Sequence, residues 1–229
     1  MRTDQTNSTS HPVLIFWIIA GWLGFAVLPW YGIEDGFFRF EWLTDGYPLD
    51  DEYAPGILLG FMGFKLWLIP LILPLLAPLL VLRRAKSDPL YSKVLIAAGA
   101  FGFAYLIAQG FGIGIRGWNF GWLETLFGPL DNRQFGMGYG GLIAASAFLF
   151  FFTQGVAARG AVNGDVFVVS AIGGIIAIVT IFVFFPIAKT LLAAFVTKDG
   201  GYSISVFAGK FFDDRIWGLG CLSGARCGV

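Results

Sequence analysis

The 229-residue chain is 57% hydrophobic and 13% charged, with 15 Lys+Arg balanced by 15 Asp+Glu. A soluble domain of that length has too little interior for so much apolar surface, so the composition points to an integral membrane protein. Zero formal net charge argues against a basic nucleic-acid binder and a highly charged disordered chain.

An apolar run of about 20 residues spans the roughly 30 Å hydrocarbon core of a bilayer as a helix. Five runs meet that length: Val13 to Tyr31, Ile57 to Leu82, Val94 to Ile115, about Met137 to Ala158, and about Val166 to Val196. The expected fold is therefore all-α, a polytopic membrane protein with about five transmembrane helices joined by two aromatic-rich outer loops. The first run lacks a basic amino-terminal region and a small-residue cleavage site, so it reads as a retained helix. The fifth exceeds the bilayer thickness and calls for tilt or protrusion. Glycine is abundant in the last three, which suits close helix packing in lipid.

Charge is segregated. Arg83, Arg84, Lys86 and Lys93 crowd the link between the second and third runs, Arg159 sits between the fourth and fifth, and Arg2 precedes the first. The loop from Ile33 to Pro55 instead carries Glu34, Asp35, Glu41, Asp45, Asp50, Asp51 and Glu52 against Arg39 alone. Basic residues mark the cytoplasmic side. The amino terminus is then expected in the cytoplasm, with the two longer loops and the carboxyl tail outside.

The outer loops share a pattern. Phe40-Glu41-Trp42-Leu43 followed by Pro48-Leu49-Asp50 matches Phe120-Gly121-Trp122-Leu123 followed by Pro129-Leu130-Asp131. This fits either a duplicated helical hairpin or the shared aromatic composition of two membrane interfaces.

Several residues stand out inside the runs. Lys65 is an intramembrane cation and thus a functional candidate, although its stem could carry the ammonium to the outer surface or into an internal ion pair. Pro70, Pro74 and Pro78 recur every four residues, near one helical face. Each lacks an amide hydrogen, so the expected helix is bent, with freed carbonyls that need a neighbouring helix or water. Pro186 and Lys189 repeat that logic near the outer end of the fifth run. Gln109 could hydrogen-bond across helices.

Outside the runs, Asp45, Asp50, Asp51 and Glu52 form an acidic cluster. Oxygen ligands suit hard cations, but the spacing fits no calcium loop, so a solvated or partner-facing surface is the expected role. Cys221 and Cys227 lie in the expected outer tail, where an oxidising compartment permits a disulfide; two free thiols are the alternative. No phosphate-binding loop, dinucleotide fingerprint, nucleophile elbow or H-E-x-x-H occurs, and His11 is the only histidine. The expectation is a chain that is not an enzyme and carries no cofactor.

The carboxyl end adds a resemblance. Phe184-Phe185-Pro186-Ile187-Ala188-Lys189-Thr190-Leu191-Leu192-Ala193-Ala194-Phe195 resembles the first core helix of binding-protein-dependent ABC permeases. The outer segment that follows, with Trp217-Gly218-Leu219-Gly220-Cys221-Leu222 and Arg226-Cys227-Gly228-Val229, is similar to the large iron(III)-type permeases of alphaproteobacteria. The loop around Trp42 and Pro48 fits the same group. The family's cytoplasmic coupling loop has no counterpart here, and Val229 falls before the expected next core helix. The resemblance implies a cytoplasmic amino terminus at 1–12, a four-helix membrane region at 13–165, a fifth, core-like helix at 166–197 and a periplasmic tail at 198–229 that leads into a permease core. It implies a multi-pass component of the bacterial inner membrane, with a separate cytoplasmic ABC ATPase, a periplasmic binding protein and the rest of the permease core as partners. The cargo it implies is ferric iron. The competing expectation is a stand-alone structural or assembly subunit of a membrane complex.

Overall fold

In the computed structural model the described residues are 11–32, 38, 40–44, 46–50, 52–63, 65–114, 117–130, 136–197 and 201–213. The chain divides into two compact units, Met1–Ile175 and Ile176–Val229.

Three of the five expected spans form helices long and apolar enough to cross a membrane: Pro89–Gly112, Tyr139–Ala158 and Val166–Ala194. The other two runs are corrected. The first yields α1 over Pro12–Ala26, only 15 residues. Pro29 explains the early stop, because proline forces the residue before it out of the helical region. The second run is not one helix. It breaks into α2 (Gly56–Phe61), a 3-10 segment (Leu66–Leu71), α3 (Ile72–Leu76) and a second 3-10 segment (Ala77–Val81).

Both breaks have local causes. At the end of α2 the Gly63 amide reaches back to the Leu58 carbonyl (3.1 Å) and the Lys65 amide to that of Leu59 (2.9 Å). These wide closures end the helix, and Gly63 allows them with no side chain in the turn. Beyond Lys65, the prolines at 70, 74 and 78 remove a donor every four residues. The chain tightens into 3-10 turns around a short α-helical centre, since an uninterrupted ladder of four-residue bonds is impossible there.

Helix α4 (Pro89–Gly112) starts on Asp88, whose side chain accepts from the Leu90 amide, with proline at the first helical position. Gly112 leads into a two-residue hairpin, β1 (Ile113–Gly114) against β2 (Gly117–Trp118), followed by α5 (Gly121–Phe127). Helix α6 (Tyr139–Ala158) packs between α1 and α4. Small residues set these contacts. A Cβ placed on Gly24 would lie 2.7 Å from the Gly140 carbonyl, and one on Gly99 would lie 2.3 Å from the Phe152 amide nitrogen. The backbones approach this closely only because no side chain intervenes, which is the small-residue packing expected in lipid. Aromatic rings fill the remaining space: Trp17 stacks on Phe150 at 3.9 Å, and Phe148 and Phe151 are fully buried.

The two ends of this bundle are distinct. At one end His11 Nε2 donates to the Arg84 carbonyl (2.9 Å), and the His11 ring lies 5.2 Å from that of Tyr91. At the other, residues 29–32 run extended between two neighbours. The Trp30 amide donates to Ala54 (3.2 Å), while the Gly138 amide donates to Trp30 and the Gly32 amide to Gly136 (both 2.9 Å). The amino terminus of α1 therefore shares an end with the Arg83–Lys93 link, and both aromatic loops leave from the opposite end.

Helix α7 (Val166–Val179) joins this unit through Thr153 Oγ1 and Ser170 Oγ, 3.0 Å apart. In the second unit a π turn over Thr180–Phe184 precedes α8 (Phe185–Ala194). There the Phe185 amide bonds to the Thr180 carbonyl, five residues back. The widened ladder steps over Pro186, which cannot donate, so the expected kink takes the form of a π turn. Helix α9 is Ile204–Phe211, and ahead of it the Thr197 amide donates to the Gly201 carbonyl (2.8 Å).

Candidate functional site

Tyr31, Tyr105 and Gln109 converge around Trp67, near the end from which the aromatic loops leave. The Trp67 indole Nε1 donates to the Tyr31 hydroxyl at 2.9 Å. The Trp67 carbonyl accepts from the Tyr105 hydroxyl (2.8 Å) and from Gln109 Nε2 (3.0 Å). Proline accounts for this double acceptance. In a 3-10 ladder the carbonyl of residue 67 pairs with the amide of residue 70, and Pro70 has none. A freed carbonyl in an apolar setting needs another donor, and α4 supplies two of them one helical turn apart. The expected cross-helix bond from Gln109 and the expected need of the proline-freed carbonyls meet at one atom.

Lys65 caps the 3-10 segment that holds Trp67. Its side chain is 7% exposed, and Nζ lies 5.0 Å from the centroid of the Tyr31 ring. The Lys65 side chain is buried over an aromatic face rather than standing at a surface. Tyr31 thus serves both neighbours, its ring facing the Lys65 cation and its hydroxyl accepting from Trp67.

The second aromatic loop closes over the same tryptophan. The Trp118 ring meets that of Trp67 edge-on at 4.9 Å, and Phe127 meets it at 6.0 Å. Trp118 Nε1 donates to the Gly128 carbonyl (2.8 Å), which fixes the loop in place. The arrangement contains a buried cation, two phenols, an indole and an amide. It can hold a charge and tie three chain segments together; among the described residues it offers no nucleophile beside a general base. The sequence reading missed Trp67, Tyr31 and Tyr105. Pro70 was the available signal, since it marks the carbonyl of residue 67 as the one in need of outside donors.

The other singled-out residues lie elsewhere. Pro74 and Pro78 are buried and Pro70 is exposed, so the three do not share one face of the segment. Lys189 Nζ stands 5.3 Å from the Phe185 ring centroid, and the Thr190 hydroxyl donates to the Pro186 carbonyl (2.9 Å). Asp50 accepts the Glu52 amide at Oδ1 (2.9 Å), and its own amide donates to Gly46, a residue with φ of 72°. Those bonds make a turn. Asp45, Asp51, Cys221 and Cys227 lie outside the described residues. Among the described residues no three His, Cys, Asp or Glu side chains gather in a way that could hold a metal ion.

The two similar loops differ in structure. Glu41–Leu43 form a 3-10 turn with Trp42 7% exposed, whereas Gly121–Phe127 form α5 with Trp122 64% exposed.

At the basic end, Arg84 Nη1 and Asp88 Oδ2 are 2.8 Å apart. The Arg84 hydrogen bond, with that from the Leu90 amide, holds the Asp88 carboxyl below its ordinary range.

No family model matches the chain, and no curated protein or solved structure matches it either.

Proposed function

We propose that the chain is a membrane-spanning component of an ABC importer permease in the bacterial inner membrane, with ferric iron as cargo. Residues 13–165 would be a helical scaffold beside the translocation core, and the helix from Val166 the first element of that core. The observation that carries this reading is the contrast between the helices. Helix α6 is the most enclosed of the three long ones, while Val166–Ala194 is the most apolar and the least buried. A helix that ends a scaffold and begins a core needs such an unfilled apolar surface. The resemblance of residues 184–195 to a first core helix points the same way. Hydrolysis of ATP would belong to a separate cytoplasmic subunit, and delivery of the cargo to a periplasmic binding protein.

Geometry also supports more crossings than the three long helices. The segment Leu66–Val81 has eleven residues in 3-10 turns and five in α3. At about 2.0 Å and 1.5 Å per residue these reach about 30 Å, the thickness of the hydrocarbon core. Helix α1 reaches about 22 Å at 1.5 Å per residue, and residues 27–31 extend its path. The reading is five crossings, with the amino terminus and the Arg83–Lys93 link in the cytoplasm; the shared end of those two elements and the positive charge there support it.

The test is uptake of radiolabelled ferric iron by cells with and without the gene. Loss of ATP-dependent uptake, restored by re-expression, is the expected result; unchanged uptake contradicts the proposal. A stand-alone structural or assembly subunit is the second reading, favoured by how completely rings and small residues fill the interior between α1, α4 and α6. It would leave uptake intact and yield a stable complex without an ATPase.

A further inference from the structure

We propose that α9 is an interfacial helix, seated in the headgroup region of the outer leaflet, so that residues 204–211 lie on the membrane rather than in the periplasm. The inference rests on the reading of Val166–Ala194 as a membrane span, and all its contacts lie within the second unit.

The position of α9 is fixed by the end of α8. The Ser203 amide donates to the Phe195 carbonyl (2.9 Å), and the rings of Phe195 and Phe207 stack at 4.5 Å. Lys210 Nζ donates to the carbonyls of Ala194 and Val196, both at 3.3 Å. The last carbonyls of a helix lack partners within it, and here a lysine from the next helix supplies them. These bonds hold α9 at the level where the apolar span stops, and that level is the lipid headgroup region. The span's 29 residues measure about 43 Å at 1.5 Å per residue, more than the roughly 30 Å of hydrocarbon, so the helix is long enough for its end to reach the interface.

The side chains suit that depth. Ile204, Phe207, Ala208 and Phe211 recur at the spacing of one helical face, and Ser205 and Gly209 lie on the other. Ile204 is 78% exposed and Phe211 41%. Tyr202 flanks the helix, and aromatic residues favour the headgroup boundary. An exposed isoleucine and phenylalanine beside the mouth of a span are within reach of lipid by construction, and burying them in the acyl boundary removes their apolar area from water.

Nitroxide labels placed one at a time in the full chain test this. Cys221→Ser and Cys227→Ser provide the background, with Ile204→Cys, Ser205→Cys, Gly209→Cys or Phe211→Cys added, in vesicles of phosphatidylethanolamine and phosphatidylglycerol. Oxygen should collide with labels at 204 and 211 more often than a water-soluble nickel complex does, and the order should reverse at 205 and 209. A nickel complex that reaches all four positions overturns the proposal, as does exclusion of both reagents from 204 and 211, which would mean a protein cover. A label at Val183→Cys separates the two claims. Oxygen dominance at 183 without it at 204 and 211 refutes the interfacial helix alone, and nickel access at 183 refutes the span itself.

Discussion

The Tyr105 hydroxyl donates to the Trp67 carbonyl at 2.8 Å, on the acceptor that Pro70 leaves without an amide. Gln109 donates to the same oxygen at 3.0 Å. The two donors back each other up. Tyr105→Phe or Gln109→Leu alone should cost about 0.6 kcal/mol, the usual worth of one bond between membrane helices. The double variant should lose more than the sum, because it strips a buried carbonyl of both cross-helix donors. Adding Pro70→Ala restores an amide in reach of that carbonyl and should shrink the double variant's loss. Thermal unfolding in detergent reads all four; strictly additive losses that ignore residue 70 contradict the assignment.

Tyr31→Phe tests the other side of Trp67. The change keeps the ring under the Lys65 cation and removes the acceptor of the Trp67 indole. A buried donor left without its acceptor costs about 1–3 kcal/mol. Tyr31→Leu should cost more, since the aromatic face is lost as well. Equal stability of the parent and the Tyr31→Phe variant would remove the indole bond from the account.

Helix packing predicts opposite outcomes at two glycines. Gly99→Ala drives a methyl group against the Phe152 amide nitrogen and the Phe148 carbonyl oxygen, 2.3 and 2.4 Å from its ideal position. Backbone must move, and overpacking of this kind costs about 1–3 kcal/mol. Gly174→Ala meets nothing within 4 Å and replaces glycine inside a helix, so it should be neutral or slightly stabilising. The unfolding midpoint should fall below the parent value for Gly99→Ala and lie at or above it for Gly174→Ala; equal losses at both sites contradict the packing account.

Asp88 gives a dependence on pH. Its carboxyl is held below the ordinary range by Arg84 and the Leu90 amide, so the folded state favours the ionised form. That contribution is fully present above the carboxylate's unfolded value of about 3.9 and is lost as pH falls through the lower folded value. The stability gap between the parent and Asp88→Ala should be level near neutral pH and narrow in acid. A gap that widens in acid has the wrong sign for this contact.

The fold was legible where a residue type dictates backbone chemistry. Pro70, Pro74 and Pro78 announce missing donors, Pro186 announces a disturbed ladder, and the glycines of α6 announce close neighbours. The three long helices follow from apolar length alone. What stayed hidden depends on which segments meet. Lys65 reads as a cation with a long stem until the fold sets it over the Tyr31 ring. Trp67 is one of 8 tryptophans, and its sequence neighbours do not set it apart. Tyr105 lies a turn from Gln109 on an apolar helix, where a hydroxyl is no signal until a proline-freed carbonyl faces it. Apolar length does not show the early end of α1, and the missing donors of Pro70, Pro74 and Pro78 show a bend but not that it takes the form of 3-10 turns.

The proposed orientation, with five crossings, is tested most directly by single-cysteine labelling in intact cells. The background is Cys221→Ser and Cys227→Ser, with Leu49→Cys, Ser87→Cys, Trp122→Cys, Ala161→Cys or Ser205→Cys added singly. An impermeant thiol reagent should label positions 49, 122 and 205 before lysis, and positions 87 and 161 only after it. Labelling of 87 or 161 in intact cells, or protection of 49 and 122, would contradict a cytoplasmic basic link and the five-crossing membrane component built on it.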